Sequence, residues 1–252
     1  MKDIIIQGLR IDWDQVPKKS YLRKIKSITS RSELAFDSNV TFFVGENGTG
    51  KSTLLEAIAV AWGFNAEGGT RNFLFSTYRD VSCLGNSLTL IKGFRRPKWG
   101  YFVRAETFFN VATQNEEYGN ASNYHIGSHG ENFLAFVRGR SKEYGLYIID
   151  EPEAALSPQR QLVLLRHLYQ CAKNGSQFII ATHSPILLGC PEATILSFDN
   201  ERIEPCRYED TESYIVTRSF LERKEYMLAE LLKDERINGG EEHGNQGRKS
   251  FS

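Results

Sequence analysis

The sequence has no excess of charge of either sign, because its 31 lysines and arginines equal its 31 aspartates and glutamates. A neutral chain has no global field that would draw it onto a polyanion, so any contact with nucleic acid or anionic lipid has to be local. No uncharged stretch reaches membrane-spanning length, and the apolar run near the N-terminus is too short for the core of a signal peptide. We therefore expect a cytoplasmic protein without membrane insertion.

Cysteine is scarce and unpaired in the sequence. The four cysteines (Cys83, Cys171, Cys190 and Cys206) lie far apart and form no C-x-x-C pair. This spacing indicates neither a zinc site nor a disulfide framework, so we interpret them as reduced packing residues. A composition of 40% hydrophobic and 25% charged residues is typical of a folded globular chain with a sizeable core.

The first quarter of the chain predicts strands followed by a helix. Residues 4–6 and 40–43 are short β-prone runs, and the basic segment 18–26 between them is interpreted as an exposed turn or hairpin rim. From Ser52 onward, apolar residues recur at helical spacing. A strand, a glycine-rich loop and a helix therefore follow one another directly.

The rest of the chain predicts alternating strands and helices. Residues 88–92 and 101–104 are predicted to pair as a hairpin around Arg95, Arg96 and Pro97. A helix is expected over 131–137, and strands over 146–149 and 178–181. Buried strands that alternate with helices predict an α/β fold with a mostly parallel sheet, whose ligands lie at the carboxyl ends of the strands.

The helix between the last two strands has clear start and stop signals. Ser157 is the predicted N-cap and Pro158 the first helical residue, and the helix is expected to stop at Asn174 and Gly175. Its predicted buried face comprises Leu162, Leu165, Leu168, Tyr169 and Ala172.

The segment Gly45-Glu46-Asn47-Gly48-Thr49-Gly50-Lys51-Ser52 fits the phosphate-binding pattern G-x-x-x-x-G-K-[ST], and Thr53 follows it. Glycines let backbone N–H groups point at phosphate oxygens, and a helix N-terminus adds partial positive charge. Lys51 is expected to neutralise the β and γ phosphates, and Ser52 to hold Mg²⁺ through its hydroxyl. The alternative is a chance glycine-rich turn.

The apolar strand 146–149 ends in Asp150 and Glu151, at the edge of the sheet where a metal ion would lie. We expect Asp150 to act on the magnesium site and Glu151 to polarise a water in line with the γ phosphate, as a general base. The alternative is a surface acidic pair that ends a strand.

Two further motifs resemble those of the ABC ATPase superfamily. Ser128-His129-Gly130-Glu131 resembles its signature, in the S-x-G-E form of chromosome-maintenance and recombination-repair members, and Thr182-His183-Ser184-Pro185 resembles its switch-histidine loop. Residues 153–157 are similar to its D-loop, with Ser157 where the family has aspartate. The resemblance spans roughly residues 35 to 200, and 150–158 with 181–185 looks most like a group of stand-alone ATPases of this superfamily.

The resemblance implies a P-loop NTPase fold with an N-terminal antiparallel β subdomain and a small helical lobe near 65–145. It also implies ATP and Mg²⁺ as ligands, and a symmetric homodimer in which Ser128, Gly130 and Glu131 meet the nucleotide of the opposite subunit. A simple capping box before a core helix is the alternative for this motif. We place one ATPase domain at 1–237 and a disordered tail at 238–252.

Four other residues lie near these motifs, and two of them, His183 and Glu106, have two interpretations each. His183 is either a γ-phosphate sensor or a satisfied core histidine. Glu106 either serves as the lobe-linking metal-site residue that is a glutamine elsewhere in the family, or is a strand-end charge. His125 and His129 are interpreted as loop residues, because no metal-ligand spacing accompanies them.

Three functions fit these motifs. An ATP-driven conformational switch is favoured, read out by a protein partner encoded nearby or by DNA or RNA at the basic clusters near 18–26 and 95–98. The others are the nucleotide-binding subunit of a transporter and a non-hydrolysing ATP-binding adaptor. About 75 residues separate the phosphate loop from the signature, without sustained heptads, which excludes a long coiled-coil rod.

Overall fold

The computed structural model describes residues 4–65, 84–97, 99–105, 129–140 and 144–233. The chain divides into two compact units, Met1–Thr211 and Glu212–Ser252, and the first contains every motif named above. Most of the expected helical lobe and the expected tail lie outside the described residues. The domain boundaries therefore stay predictions.

Nine strands and seven helices lie within the residues that the structure describes. The strands are β1 (Ile6–Ile11), β2 (Glu33–Ala35), β3 (Val40–Val44), β4 (Leu88–Lys92), β5 (Trp99–Arg104), β6 (Gly145–Asp150), β7 (Gln177–Ala181), β8 (Thr194–Ser197) and β9 (Glu204–Cys206). The helices are α1 (Lys26–Thr29), α2 (Lys51–Trp62), α3 (His129–Arg140), α4 (Pro158–Lys173), α5 (Pro185–Leu188), α6 (Glu212–Glu222) and α7 (Lys224–Leu231), the last two in the second unit.

A six-stranded sheet with the order β5-β6-β7-β3-β8-β9 forms the centre of the first unit. Its strands are parallel except for the antiparallel pair of β8 and β9. Every residue of β3, β6 and β7 is buried, as expected when helices cover both faces of a parallel sheet. The predicted α/β fold with a mostly parallel sheet is confirmed.

Two hydrophobic clusters pack on opposite faces of this sheet. Phe43 of β3 belongs to the cluster that includes Leu54 and Ile58 of α2, whereas Phe42 belongs to the cluster around Leu164 of α4. Successive side chains of a strand point to opposite faces, so neighbouring phenylalanines serve different clusters. The strand is thereby held from both sides.

A separate antiparallel sheet has the order β2-β1-β4, which confirms the expected N-terminal β subdomain. The expected hairpin of 88–92 with 101–104 is wrong: β4 pairs with β1, and β5 pairs in parallel with β6. Tyr101, Phe102 and Val103 of β5 are all buried, so this strand requires cover on both of its faces. The larger sheet supplies that environment.

The N-terminal boundaries also differ from expectation. The first strand begins at Ile6 rather than at Ile4. The basic segment expected as a turn or rim forms a 3-10 turn over Tyr21–Lys24 and leads into α1. Arg23 donates to the carbonyls of Trp13 and Val16, so part of the positive charge of this segment serves local structure.

Helix α4 begins and ends where its sequence signals indicate, but its buried face differs from the expected one. Leu164 and Leu168 are buried, whereas Leu162 is 55% exposed. Gln161 occupies the buried face, where its amide donates to the carbonyl of Leu156 and accepts from the Ser184 hydroxyl. Ser157 is in the N-cap position, but its side chain makes no capping hydrogen bond.

The cysteines whose surroundings the structure describes form no disulfide bond with one another. Cys171 and Cys190 are buried, and Cys206 is partly buried. Burial, with a smaller contribution from the charge of Glu192, raises the pKa of Cys190 to about 11. This thiol is therefore protonated near neutral pH, which makes it a poor nucleophile.

A buried glutamine joins the two sheets. Gln177, the first residue of β7, accepts from the backbone N–H of Ile6 (2.7 Å) and donates to the carbonyl of Ile6 (2.9 Å). It has no exposed surface. The amide therefore satisfies the backbone N–H and carbonyl of Ile6, at the point where β1 meets the larger sheet.

We expect Gln177→Ala to lower the free energy of unfolding by about 2–4 kcal/mol, because two buried backbone groups would lose their partners. Urea denaturation followed by circular dichroism measures this change. Gln170→Ala, at an exposed position of α4, is the matched control and should change stability little. Equal effects of the two substitutions would contradict the role of Gln177.

Candidate functional site

The phosphate loop runs from Gly45 to Gly50, between β3 and α2, as the sequence predicts. Two of its glycines are required by both backbone and space. Gly45 has φ 134°, and a Cβ there would lie 2.9 Å from Asp199 Oδ1. Gly50 has φ 100°, and a Cβ there would lie 2.6 Å from Ile25 Cγ2. The loop therefore fits closely against its neighbours.

Lys51 folds back over the loop that precedes it. Its buried ammonium donates to the carbonyls of Gly45 (2.5 Å) and Glu46 (2.8 Å). Burial lowers the pKa of Lys51 below its ordinary value, and the negative charges of Glu151, Asp199, Asp150 and Glu153, in that order, oppose the shift. A phosphate group bound here would give the Lys51 ammonium charged oxygen partners in place of these two carbonyls.

Asp199 anchors the start of the phosphate loop, which the sequence did not indicate. Its Oδ1 accepts from the backbone N–H of Glu46 (3.0 Å), and its Oδ2 accepts from the Ser197 hydroxyl (2.8 Å). Asp199 lies two residues after the end of β8, the parallel neighbour of β3. The signal available in the sequence was a polar residue after a buried strand, but only the strand order places it beside Gly45.

Ser52 and Asp150 meet at the carboxyl end of the sheet. The Ser52 hydroxyl donates to Asp150 Oδ1 (3.0 Å), and Asp150 is buried. A hydroxyl and a carboxylate are the hard oxygen donors that Mg²⁺ prefers, and this ion usually takes few protein ligands together with substrate phosphates. The donor set therefore fits a magnesium ion bound with a nucleotide, although the described residues contain no cluster of three or more His, Cys, Asp or Glu for a metal.

Glu151 follows Asp150 in a strained backbone conformation. Its φ and ψ are 48° and 54°, the left-handed region that non-glycine residues rarely adopt. The turn is held by its N–H, which donates to the carbonyl of Ala181 (2.9 Å). Its carboxylate Oε1 lies 3.9 Å from Nε2 of His183, a nitrogen that has no hydrogen-bond partner among the described residues. Strain of this kind often accompanies a functional site.

Glu153 joins the segment after β6 to the loop after β7. Its carboxylate accepts from the Thr182 hydroxyl (2.7 Å) and from the backbone N–H of His183 (2.5 Å). The Thr182 hydroxyl in turn accepts from the N–H of Ser184, and the Ser184 hydroxyl caps α5. Glu153 therefore fixes the backbone that carries His183.

Several predicted site residues cannot be placed. Glu106, His125 and Ser128 lie outside the described residues. His129 begins α3, and Gly130 and Glu131 follow in its first turn, so the backbone there is helical as the capping interpretation and the signature both require. The structure describes the backbone alone at these three positions, and the assignment of this motif stays a prediction.

Within the described ranges no helix is long and apolar enough to cross a bilayer.

Two ATPase family models match parts of the chain. A model described as AAA domain matches residues 21–125, which include the phosphate loop, and one described as AAA ATPase domain matches residues 128–188, which include Asp150, Glu151 and His183. No curated protein matches. The two matches support the ATPase domain that the motifs indicate.

Two solved structures are similar to this chain. The SMC head domain from Thermotoga maritima has 16% identity and a TM-score of 0.46, over 81% of this chain and 100% of that chain. A metal-chelate type ABC transporter in an inward-facing conformation has 18% identity and a TM-score of 0.39, over 73% of this chain and 79% of that chain.

We expect Glu153→Gln to lower the free energy of unfolding by about 1–3 kcal/mol, because one charge-assisted acceptor is replaced by an NH₂ group that faces another donor. Hydrogen exchange at the His183 amide should also become faster. Glu33→Gln is the control, since it removes an exposed ion pair with Arg10 that contributes little. Unchanged protection of the His183 amide would contradict the role of Glu153.

Proposed function

We propose that this chain binds MgATP and hydrolyses it, and that it acts as an ATP-driven conformational switch. The observation that best supports this proposal is the meeting of three strand ends. The phosphate loop follows β3, Asp150 and Glu151 end β6, and His183 follows β7. These strands are adjacent and parallel, so a nucleotide held by the loop faces both acidic residues and the histidine.

In this proposal Lys51 and the loop amides bind the phosphates, and Ser52 and Asp150 hold the magnesium ion with its waters. The ion would neutralise charge that develops on the phosphoryl oxygens. Glu151 accepts the proton of the attacking water as general base. His183 donates a hydrogen bond to the γ phosphate through Nε2, which faces Glu151 and has no other partner in the part of the chain that the structure describes.

We further propose that the active form is a head-to-tail homodimer. Within one subunit the phosphate loop supplies contacts to one side of the nucleotide, and the motif Ser128 to Glu131 is proposed to close the other side from a second subunit. The helix that begins at His129 supports this, because backbone N–H groups at a helix N-terminus attract anions. Nucleotide binding would then control association.

In this proposal the partner that recognises the ATP-bound dimer is a protein, DNA or RNA. The cytoplasmic location stays a prediction. A transporter subunit would require a membrane chain, whereas an adaptor would bind ATP without turnover. Phosphate release by the purified protein separates the adaptor from the switch. For DNA or RNA, the exposed Arg95, Arg96 and Trp99 are the first positions to test, because Arg23 in the other basic segment is occupied by carbonyl groups.

We expect Glu151→Gln to reduce ATP turnover by about 10²–10⁴-fold, because the general base is lost, while ATP affinity is retained. Phosphate release and nucleotide titration measure the two effects. Size-exclusion chromatography with light scattering should show an ATP-dependent dimer that accumulates. Glu209→Gln, at an exposed position, is the control. Turnover equal to that of the unmodified protein would remove Glu151 from the mechanism.

A mixing experiment tests the shared site. Lys51→Ala and Ser128→Arg are each expected to be inactive alone, because every site of either homodimer contains a lesion. A mixed dimer has one site with both lesions and one with none, so equal mixing should recover about a quarter of the turnover if subunits exchange freely and sites act independently. Exchange is verified with differently labelled subunits. No recovery despite verified exchange would contradict the proposal that each site is shared in this way.

A further inference from the structure

Arg104 connects the candidate metal site to helix α2, and no motif assigns it a role. It is the last residue of β5 and lies opposite Asp150 in the register of β5 and β6. Its Nη2 lies 2.6 Å from Glu56 Oε2, and its Nε lies 3.3 Å from Asp150 Oδ2. The side chain is 26% exposed. One guanidinium therefore faces two carboxylates.

The two carboxylates hold this guanidinium unequally. The contact with Glu56 is a short hydrogen bond, whereas Nε is buried and, among the residues described, has no partner within hydrogen-bond geometry. Its contact with Asp150 is therefore an ion pair that lacks hydrogen-bond geometry. The positive charge also lies 5.4 Å from the centre of the Phe102 ring, within the range of a cation–π contact. Arg104 is firmly attached to Glu56 and weakly attached to Asp150.

Helix α2 supplies two residues that contact Asp150 and Arg104. Ser52 and Glu56 are four residues apart on α2 and so share a face of this helix. Ser52 donates to Oδ1 of Asp150, and Arg104 lies against its other oxygen, Oδ2. Both oxygens of Asp150 are thereby directed by their neighbours. The charge seen by a cation at Ser52 and Asp150 includes the contributions of Arg104 and Glu56.

We propose that Arg104 is a positioning residue of the metal site: held by Glu56, it orients and partly neutralises Asp150, so that a divalent cation has to compete with it. This inference rests on the proposed function, because it concerns the same site. Asp150, Glu56 and Arg104 together carry one net negative charge. Removal of the guanidinium leaves two negative charges, and removal of the Glu56 charge leaves none.

The charge count predicts an order of metal affinity. At a high effective dielectric constant, one unit charge near a divalent ion changes its affinity by about tenfold. Arg104→Gln should therefore bind a divalent cation about tenfold more tightly than the unmodified protein, and Glu56→Gln should bind it several-fold more weakly. The double substitution restores the net charge and should lie near the unmodified protein. Arg104→Lys keeps the charge, so its affinity for the cation should also be close to that of the unmodified protein.

The experiment is a titration of Mn²⁺ at saturating ADP, followed by electron paramagnetic resonance, so it requires no hydrolysis. Arg202→Gln removes an equal charge from an exposed ion pair with Glu204 and is the matched control. Circular dichroism confirms that each variant is folded. If Arg104→Gln does not fold, Glu56→Gln and Arg104→Lys decide together: weaker binding of Mn²⁺ by the first with unchanged binding by the second supports the proposal, and any other result overturns it.

A purely structural role for Arg104 would give a different pattern, because loosening Asp150 would weaken the binding of Mn²⁺ in every variant. Equal or weaker binding by folded Arg104→Gln therefore overturns the inference. If the unmodified protein binds no Mn²⁺ with ADP, the proposed function fails and this inference fails with it. If the unmodified protein binds Mn²⁺ but the variants do not follow the predicted order, the inference alone fails.

Discussion

The parallel register of three strands determines where every part of the candidate site lies. Ala181, the last residue of β7, is paired with Phe43 of β3 on one side and with Asp150 of β6 on the other. The N–H of Glu151 then bonds to the carbonyl of Ala181, and the N–H of Thr182 bonds to the carbonyl of Phe43. The three strands end at one level, so the residues that follow them share one edge of the sheet. A shift of one residue would turn these side chains to the other face.

Among the residues that the structure describes, acidic side chains outnumber cations at this edge. Lys51 is buried among the carbonyl groups of its own loop, and the negative charges of four acidic residues counteract the lowering of its pKa by burial. Such a site without nucleotide is rich in negative charge, which repels phosphates unless cations intervene. Lys51 faces the loop, and Arg104 faces Asp150 and Glu56. Asp150 therefore lies near both cations.

Prediction from the sequence succeeded where a local pattern carries its own physical reason. A glycine-rich loop between a strand and a helix requires particular backbone angles, and Gly45 and Gly50 adopt them. It failed where the choice depended on distant residues. The segment 88–92 pairs with β1 rather than with β5, the next strand along the chain. Gln161 is buried because Leu156 and Ser184, from two other loops, satisfy its amide. Hydrophobic spacing alone predicted that Leu162 lies on the buried face of α4 instead.

The sequence by itself determined the α/β order, the phosphate loop, the acidic pair at the end of β6 and the histidine motif after β7, because each depends on residues that are neighbours in the chain. Only the tertiary structure decided that Asp199 anchors the phosphate loop, that Glu153 fixes the backbone of His183 and that Arg104 lies between Glu56 and Asp150. These contacts join residues that are 30 to 153 positions apart. Their pairing follows from the order of strands in the sheet, which no local sequence pattern specifies.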